Sequence, residues 1–293
     1  MEFKKLTLDC LETIKPYFRV NENRVCDCTV GGSFIWRDYH KTEFAIEDGG
    51  LYLKVAYPEL AFTPPRGVEP TRESYERIIS YCDEQKLPVK LFAVSEPTLK
   101  IVLDLFPGSE ARTDRAWSDY LYLSSDITSL TGRKYSGQRN HINRFIREYP
   151  SWSFERISEQ NIPEVREYYE KYAREHLKDS LAYLEGNRKA LEVLDNFEAY
   201  GLCGGVLYAD GKIVGESLGE IVGDTLFVHT EKADTAYHGS YPMLVNQFAK
   251  MFVTDETEYI NREEDDGVEG LRTSKLSYHP LDLLHKYAVE LRS

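Results

Sequence analysis

Polar chemistry is densest in one stretch near the C-terminus, Tyr259-Ile-Asn-Arg-Glu-Glu-Asp-Asp-Gly-Val-Glu-Gly-Leu-Arg-Thr-Ser-Lys-Leu-Ser-Tyr-His-Pro280. It combines Asn261 and Arg262 with the carboxylates Glu263 to Asp266, then Arg272, Lys275, Tyr278 and His279. A carboxylate at a strand end can take a proton from an attacking amine, and burial beside other acids moves its pKa toward neutrality. A tyrosine or lysine nearby can protonate a leaving group or hold a carboxylate. Two other readings stay open: a solvated acidic loop, and a metal site, for which neither EF-hand spacing nor a histidine pair is present. Upstream, His229 and Glu231 fall on one face of a predicted strand, because side chains alternate.

A second cluster is basic. Gly132-Arg-Lys-Tyr-Ser-Gly-Gln-Arg-Asn-His-Ile-Asn-Arg144 reads as the start of a helix over 134–149, with Ile142, Phe145, Ile146 and Tyr149 inward. Arg139, Asn143 and Arg147 share its other side, beside Asn140 and Arg144. That face could hold the phosphates of tRNA or of coenzyme A, or be merely solvated.

The elements that must position these residues lie in 203–262. Cys203 to Ala209 is a strand, Asp210-Gly211 a tight hairpin turn, and Lys212 to Ile221 the return strand. Gly223-Asp224 turns into a third strand over 225–232. After the loop Ala233 to Gly239, the spacing of Tyr241, Leu244, Val245, Phe248 and Phe252 predicts a helix, and Thr257 to Arg262 a last strand. The order sets a helix N-terminus beside an open strand end, where backbone N–H groups and the helix dipole can hold an anion. The first half repeats it: hairpin around Asp48-Gly49-Gly50, strand, the loop Pro64 to Pro70, a helix with Tyr75, Ile78, Ile79 and Cys82, and the strand Val89 to Val94. Its prolines lack N–H groups, so this copy is the weaker anion cradle. Trp117 to Leu123 reads as a strand closing the first half, and Leu284, Tyr287, Ala288 and Leu291 as the stripe of a C-terminal helix. We therefore expect domains at 1–131 and 132–293, the second carrying the site.

This organisation resembles the acyl-CoA N-acyltransferase superfamily (GNAT), whose pyrophosphate loop has the pattern Gln/Arg-x-x-Gly-x-Gly/Ala. The matching window is Ala236-Tyr237-His238-Gly239-Ser240-Tyr241. Only its central glycine fits. Gly215-Glu-Ser-Leu-Gly219, His229-Thr-Glu-Lys-Ala233, Gly239-Ser-Tyr-Pro242, Asn261-Arg-Glu-Glu-Asp265, Gly270-Leu-Arg-Thr-Ser-Lys275 and Tyr278-His-Pro280 further resemble a family of tandem GNAT proteins. That family is related to the C-terminal domain of lysyl-phosphatidylglycerol synthase (domain of unknown function 2156) and, distantly, to Fem-type transferases that use aminoacyl-tRNA. The resemblance implies an α+β fold of two tandem GNAT-like domains, each a mixed, mostly antiparallel sheet flanked by helices. It implies transfer of an acyl or aminoacyl group from a coenzyme A thioester or aminoacyl-tRNA to an amine or hydroxyl, by direct attack. By this analogy Glu231 or Glu264 is the general base and Tyr278 the general acid. Ala236, His238, Gly239, Ser240 and Tyr241 would meet the acyl-CoA co-substrate. His229, Asn261, Arg262, Asp265, Arg272 and Lys275 would hold the acceptor, a small molecule or peptide amine. Aminoacyl-tRNA would lie along Arg133, Lys134, Arg139, Arg144 and Arg147. The alternative is a GNAT-fold ligand sensor without catalysis.

Bulk properties bound these readings. The 293 residues carry a net charge of −13, which argues against a broad nucleic-acid surface. No apolar run is long enough to span a membrane, and the N-terminus lacks an apolar signal core, so a cytoplasmic protein without integral membrane association is expected. The five cysteines lack zinc spacing, Cys26-Asp-Cys28 being one residue too tight, and read as reduced structural thiols. No bound metal is expected.

Overall fold

The computed structural model describes residues 1–18, 23–175 and 181–292. It contains two compact units: Met1–Asp119 with Glu264–Gly267 and Leu284–Ser293, and Tyr120–Glu263 with Val268–Leu283.

The first unit contains α1 (Leu11–Ile14), α2 (Val30–Ile35), α3 (Arg72–Gln85) and α4 (Glu96–Leu105). Its strands are β1 (Lys4–Lys5), β2 (Glu43–Glu47), β3 (Gly50–Val55), β4 (Ala61–Phe62), β5 (Lys90–Ser95) and β6 (Glu110–Thr113). The β2–β3–β4 meander is antiparallel, and β5 returns from α3 to pair parallel with β4. Tyr75, Ile78 and Cys82 of α3 are buried against Phe62, Leu91 and Val94 of the sheet.

The second unit begins with β7 (Asp119–Leu123), α5 (Ser124–Ser129), α6 (Ser136–Glu148), β8 (Ser153–Arg156), α7 (Ile162–Glu175), α8 (Leu181–Asp195) and α9 (Phe197–Tyr200). It continues through β9 (Cys203–Ala209), β10 (Lys212–Val222), β11 (Thr225–Ala233), α10 (Ser240–Phe252), β12 (Tyr259–Asn261), α11 (Glu269–Leu276) and β13 (Asp282–Leu284). Asp210 and Gly211 both take positive φ, 50° and 71°, as a two-residue hairpin between right-twisted strands requires. Leu244, Val245, Phe248 and Phe252 of α10 pack on Leu207, Leu226 and Val228, so the stripe seen in the sequence is the core face. The sheet order is β13-β7-β12-β11-β10-β9-β8, with β11 and β12 parallel.

Two expectations are corrected. Trp117 to Leu123 does not close the first half: β7 pairs with β12 in the second sheet, Tyr122 opposite Ile260. The C-terminal segment is not a helix but β14 (Lys286–Glu290), inserted between β5 and β6 of the first sheet, whose order is β1-β2-β3-β4-β5-β14-β6. A short apolar run satisfies helical and strand spacing alike. Here pairing with β5 and β6 decides, burying Val289 and Leu291 two residues apart. Each unit is therefore an α+β arrangement, a seven-stranded, mostly antiparallel sheet with helices around it. No helix among the described residues is long and apolar enough to cross a membrane.

Candidate active site

β11 carries the sheet's most consequential irregularity. Leu218 of β10 pairs with Thr230, whereas the next residue, Gly219, pairs with Val228. His229 is the extra residue of a β-bulge, which reverses which side chains face each way. Before the bulge Leu226 and Val228 face α10; beyond it Glu231 and Ala233 do. The expectation that His229 and Glu231 share a face is thus wrong, and the bulge is the reason. His229 turns to the opposite face with Glu220.

On the α10 face, Arg262 follows the end of β12 and donates from Nε (3.1 Å) and Nη2 (2.6 Å) to Oε2 of Glu231. Its guanidinium lies 4.8 Å from the centre of the Tyr278 ring. Burial opposes the charge on Arg262, but Glu231 outweighs it and holds the pKa above the ordinary arginine value. Burial pushes the Tyr278 phenol up, so it remains a neutral hydroxyl. Glu231 and Arg262 line a cavity of about 10 Å³ with Val228, Val245, Phe248 and Ile260, room for about one water. The buried Nη1 of Arg262 has no hydrogen-bond partner among the described residues. This group could polarise a carbonyl or be satisfied by that water. Lys275 donates to the Arg262 carbonyl oxygen at 2.6 Å, and Asn261 Oδ1 accepts from the Glu263 N–H at 2.7 Å, so both side chains brace the segment. Arg272 lies half-buried on α11.

The opposite face holds two buried charged groups. His229 sits between carboxylates, Nδ1 2.7 Å from Glu263 and Nε2 2.9 Å from Glu220. Burial alone would lower its pKa, but these hydrogen bonds raise it to about 10, so it is a doubly paired imidazolium at neutral pH. Farther along, Glu216 and Lys232 are directly opposed across β10 and β11. Burial raises Glu216 to about 8 against the pull of Lys232 and Thr230. Burial lowers Lys232 to about 8 although Glu216 pulls the other way. Tyr168, Tyr169 and Tyr172 of α7 and Asn187 of α8 close this region.

The glycine loop is packed rather than open. Gly239 caps α10 at φ 87°, and a Cβ there would lie 2.4 Å from the His141 carbonyl oxygen of α6. Its glycine thus serves the approach of α6. Within the loop, the N–H of Ala236 goes to Asp234 Oδ1, that of Tyr237 to the Asp234 carbonyl, and that of Ser240 to the Tyr237 carbonyl. The Ser240 hydroxyl donates to the Asp234 carbonyl, Tyr241 meets the Tyr172 hydroxyl at 3.3 Å, and His238 stands 3.7 Å from Glu148. On the basic helix, Lys134 pairs with Asp126 and Arg144 with Glu148, and Arg139 donates to the Leu130 and Gly132 carbonyls. Arg133 and Arg147 are exposed.

Glu264 belongs to the first unit and Glu231 to the second. There the buried Lys286 ammonium contacts Asp27 (2.8 Å), Asp119 (2.9 Å) and Glu264 (3.1 Å). Burial works against its charge, but the acids outweigh it and its pKa is well above the usual lysine value. Burial, then Asp119 and Glu264, push the neighbouring Cys26 thiol up. Cys26, Asp119 and Glu264 bring ligand-type atoms within 4.8 Å of one another, but Lys286 supplies the positive charge a metal ion would bring. Asp265 is fully buried against Arg115 at 3.2 Å.

Sequence reasoning passed over Glu216, Glu220, Lys232, Tyr168 and Lys286. One signal was available: Glu216 and Glu220 flank Leu218 at two-residue spacing in a strand rich in apolar residues, acids on a buried face. Lys286 gave none, because its segment read as a helix.

The family described as phosphatidylglycerol lysyltransferase, C-terminal, matches residues 18–290. A conserved protein of unknown function from Bacteroides thetaiotaomicron VPI-5482 is 35% identical over the whole of both chains, with a TM-score of 0.92. L-PGS from Bacillus licheniformis shares 15% identity at a TM-score of 0.67, over 98% of this chain and 92% of that one. FemX shares 10% at 0.64, over 100% and 98%; both likenesses are of fold. An uncharacterized protein of Mycoplasmoides gallisepticum is 23% identical over 175 residues, 59% of this chain and 56% of that protein, so the match spans about half of the curated relative.

Proposed function

Since this chain belongs to the phosphatidylglycerol lysyltransferase C-terminal family, we propose that it is an aminoacyltransferase. It takes its donor from aminoacyl-tRNA rather than from a coenzyme A thioester and passes the group to an amine or hydroxyl acceptor. The observation that carries the choice of donor is the glycine loop. Three of its N–H groups are spent on its own carbonyl and carboxylate oxygens, a carboxylate stands beside His238, and Gly239 is occupied by α6. A pyrophosphate needs those N–H groups free.

In the reaction the acceptor attacks the ester carbonyl, the new bond forms as the ester C–O bond breaks, and the tRNA 3′-hydroxyl leaves with a proton. Glu231 is the proposed base and Tyr278, kept neutral by burial, the donor to the leaving oxygen. In this reading the Arg262 guanidinium, whose Nη1 has no hydrogen-bond partner among the described residues, would supply the positive charge that stabilises the developing oxyanion. Glu231→Gln should lower turnover by ~10²-fold. The assay offers charged tRNAs and, separately, acyl-CoA thioesters to the protein with amine and hydroxyl acceptors. Consumption of the aminoacyl ester is expected; turnover of the thioester alone overturns the choice of donor. One observation favours a binding-only protein instead: the Glu231 carboxylate is already engaged by Arg262. Saturable ligand binding with no group transfer from either donor would establish that reading.

A further inference from the structure

The second unit holds a buried acid that its surroundings leave incomplete. Glu216 is wholly inaccessible in the middle of β10. Its Oε2 accepts from the Thr230 hydroxyl at 3.5 Å, whereas its Oε1 has no hydrogen-bond partner among the described residues. The hydroxyl of Tyr168 on α7, the aromatic next to it, is likewise buried without a partner. An acid placed only to brace the fold would be fully hydrogen-bonded, because an unmet buried oxygen is costly.

The same region already holds one ammonium. Lys232 Nζ lies 2.8 Å from Asn187 Oδ1 and 4.8 and 5.1 Å from the ring centres of Tyr169 and Tyr172. Aromatic faces, an amide oxygen and a carboxyl group are the surroundings a compact cation prefers. At the far end Tyr172 touches Tyr241 at the start of α10, which joins the region to the strand-end loop.

We propose that Glu216 Oε1 and the Tyr168 hydroxyl are the acceptors of a subsite for a primary ammonium group of the substrate, walled by the tyrosines of α7. The inference rests on the aminoacyltransferase reading for what that group belongs to: the α-ammonium or side-chain ammonium of the donor's amino acid, or the amine of the acceptor. The raised pKa of Glu216 agrees, since a carboxylate lacking a full set of partners holds its proton until a cation arrives. Lys232 then competes with the ligand for the same carboxylate.

The test is calorimetric titration of the full chain with three probes lacking a carboxylate: alaninamide, lysinamide and pentane-1,5-diamine. Binding of at least one is expected, with Glu216→Gln weakening it roughly 10- to 100-fold, as for a lost charge-assisted hydrogen bond. Lys232→Met should strengthen it, because a competing cation is removed. That opposite sign separates a cation subsite from loss of fold, which would weaken binding in both variants; Tyr168→Phe, a smaller loss, gives a third point. Equal binding of alaninamide and lysinamide assigns the α-ammonium, preference for lysinamide the side chain, and binding of the diamine alone the acceptor. No heat with any probe, unchanged affinity in Glu216→Gln, or weaker binding in Lys232→Met overturns the proposal. The two readings fail separately. Amine binding through Glu216 without consumption of any aminoacyl-tRNA removes the transferase and leaves the subsite. Consumption of aminoacyl-tRNA with a KM unchanged by Glu216→Gln does the reverse.

Discussion

Each unit sets a lysine beside a carboxylate, Lys286 buried and Lys232 half-buried, and the two lysines behave oppositely. Lys286 in the first unit is met by Asp27, Asp119 and Glu264, and its pKa is driven well above the usual value. Lys232 in the second has an amide oxygen, two aromatic faces and one opposed acid, and its pKa falls to about 8. Burial alone does not set the outcome. A buried charge whose neighbouring acids outweigh the cost of burial becomes structure; one for which burial outweighs the opposed acid stays close to titration.

The largest effect that can break this contrast is Lys286→Met. It strands three carboxylates around a neutral side chain, so the loss should be about 3–5 kcal/mol. Lys232→Met should cost less than ~1.5 kcal/mol, since Glu216 can keep its proton and the side-chain volume is conserved. Chemical denaturation at neutral pH measures both. Comparable losses would show that Lys232 is as structural as Lys286.

His229 sharpens the comparison through pH. Its folded pKa, about 10, lies above the ordinary 6.5, so the imidazolium contributes stability that is full below about 6.5 and disappears as pH rises through about 10. His229→Gln should lower stability most at or below pH 6.5 and least near pH 10. Glu216 has the other sign. Its folded pKa of about 8 exceeds the ordinary carboxyl value, so keeping it in place costs stability increasingly as pH rises from about 4.5 to 8. Glu216→Gln removes that penalty and should stabilise the protein by up to a few kcal/mol at pH 8 while weakening amine binding. Thermal unfolding of both variants across pH 5–10 reads the two slopes, and a parallel shift of either curve would remove its titration from the account.

Legibility in the sequence followed the range of the interactions. The β9–β10–β11 meander, the Asp210-Gly211 turn and the apolar stripe of α10 are local patterns, and each was readable. The partners of β7 and β14 were not, because strand pairing across most of the chain leaves no mark on a short apolar run. At the site, Arg262, Glu231 and Tyr278 were legible as chemistry near a strand end, and they do come together. The facing of His229 was not, because a one-residue bulge reverses alternation and carries no composition of its own. Glu216 could have been singled out from the strand that contains it; Lys286 could not, since its role exists only once Asp27, Asp119 and Glu264 surround it.

The smallest predicted effect extends the same contrast to the surface of α6 and the turn before it. Lys134, Arg139 and Arg144 have their charges directed to Asp126, backbone carbonyls and Glu148. Arg133 and Arg147 are exposed, and their side chains make no hydrogen bond or salt bridge among the described residues. If aminoacyl-tRNA lies along this face, the two unengaged arginines should carry the phosphate contacts, despite the overall negative charge of the chain. Replacing each by Gln should reduce the slope of log affinity against log salt by about 1. Gln at Arg139 or Arg144 should change it less, because those guanidiniums must first leave a partner. Filter binding of charged tRNA from low to moderate salt measures the slopes. A larger change for Arg144 than for Arg147 would mean that the internal pairs open on binding, and would confine the distinction between engaged and available charges to the interior, where water cannot take the place of a lost partner.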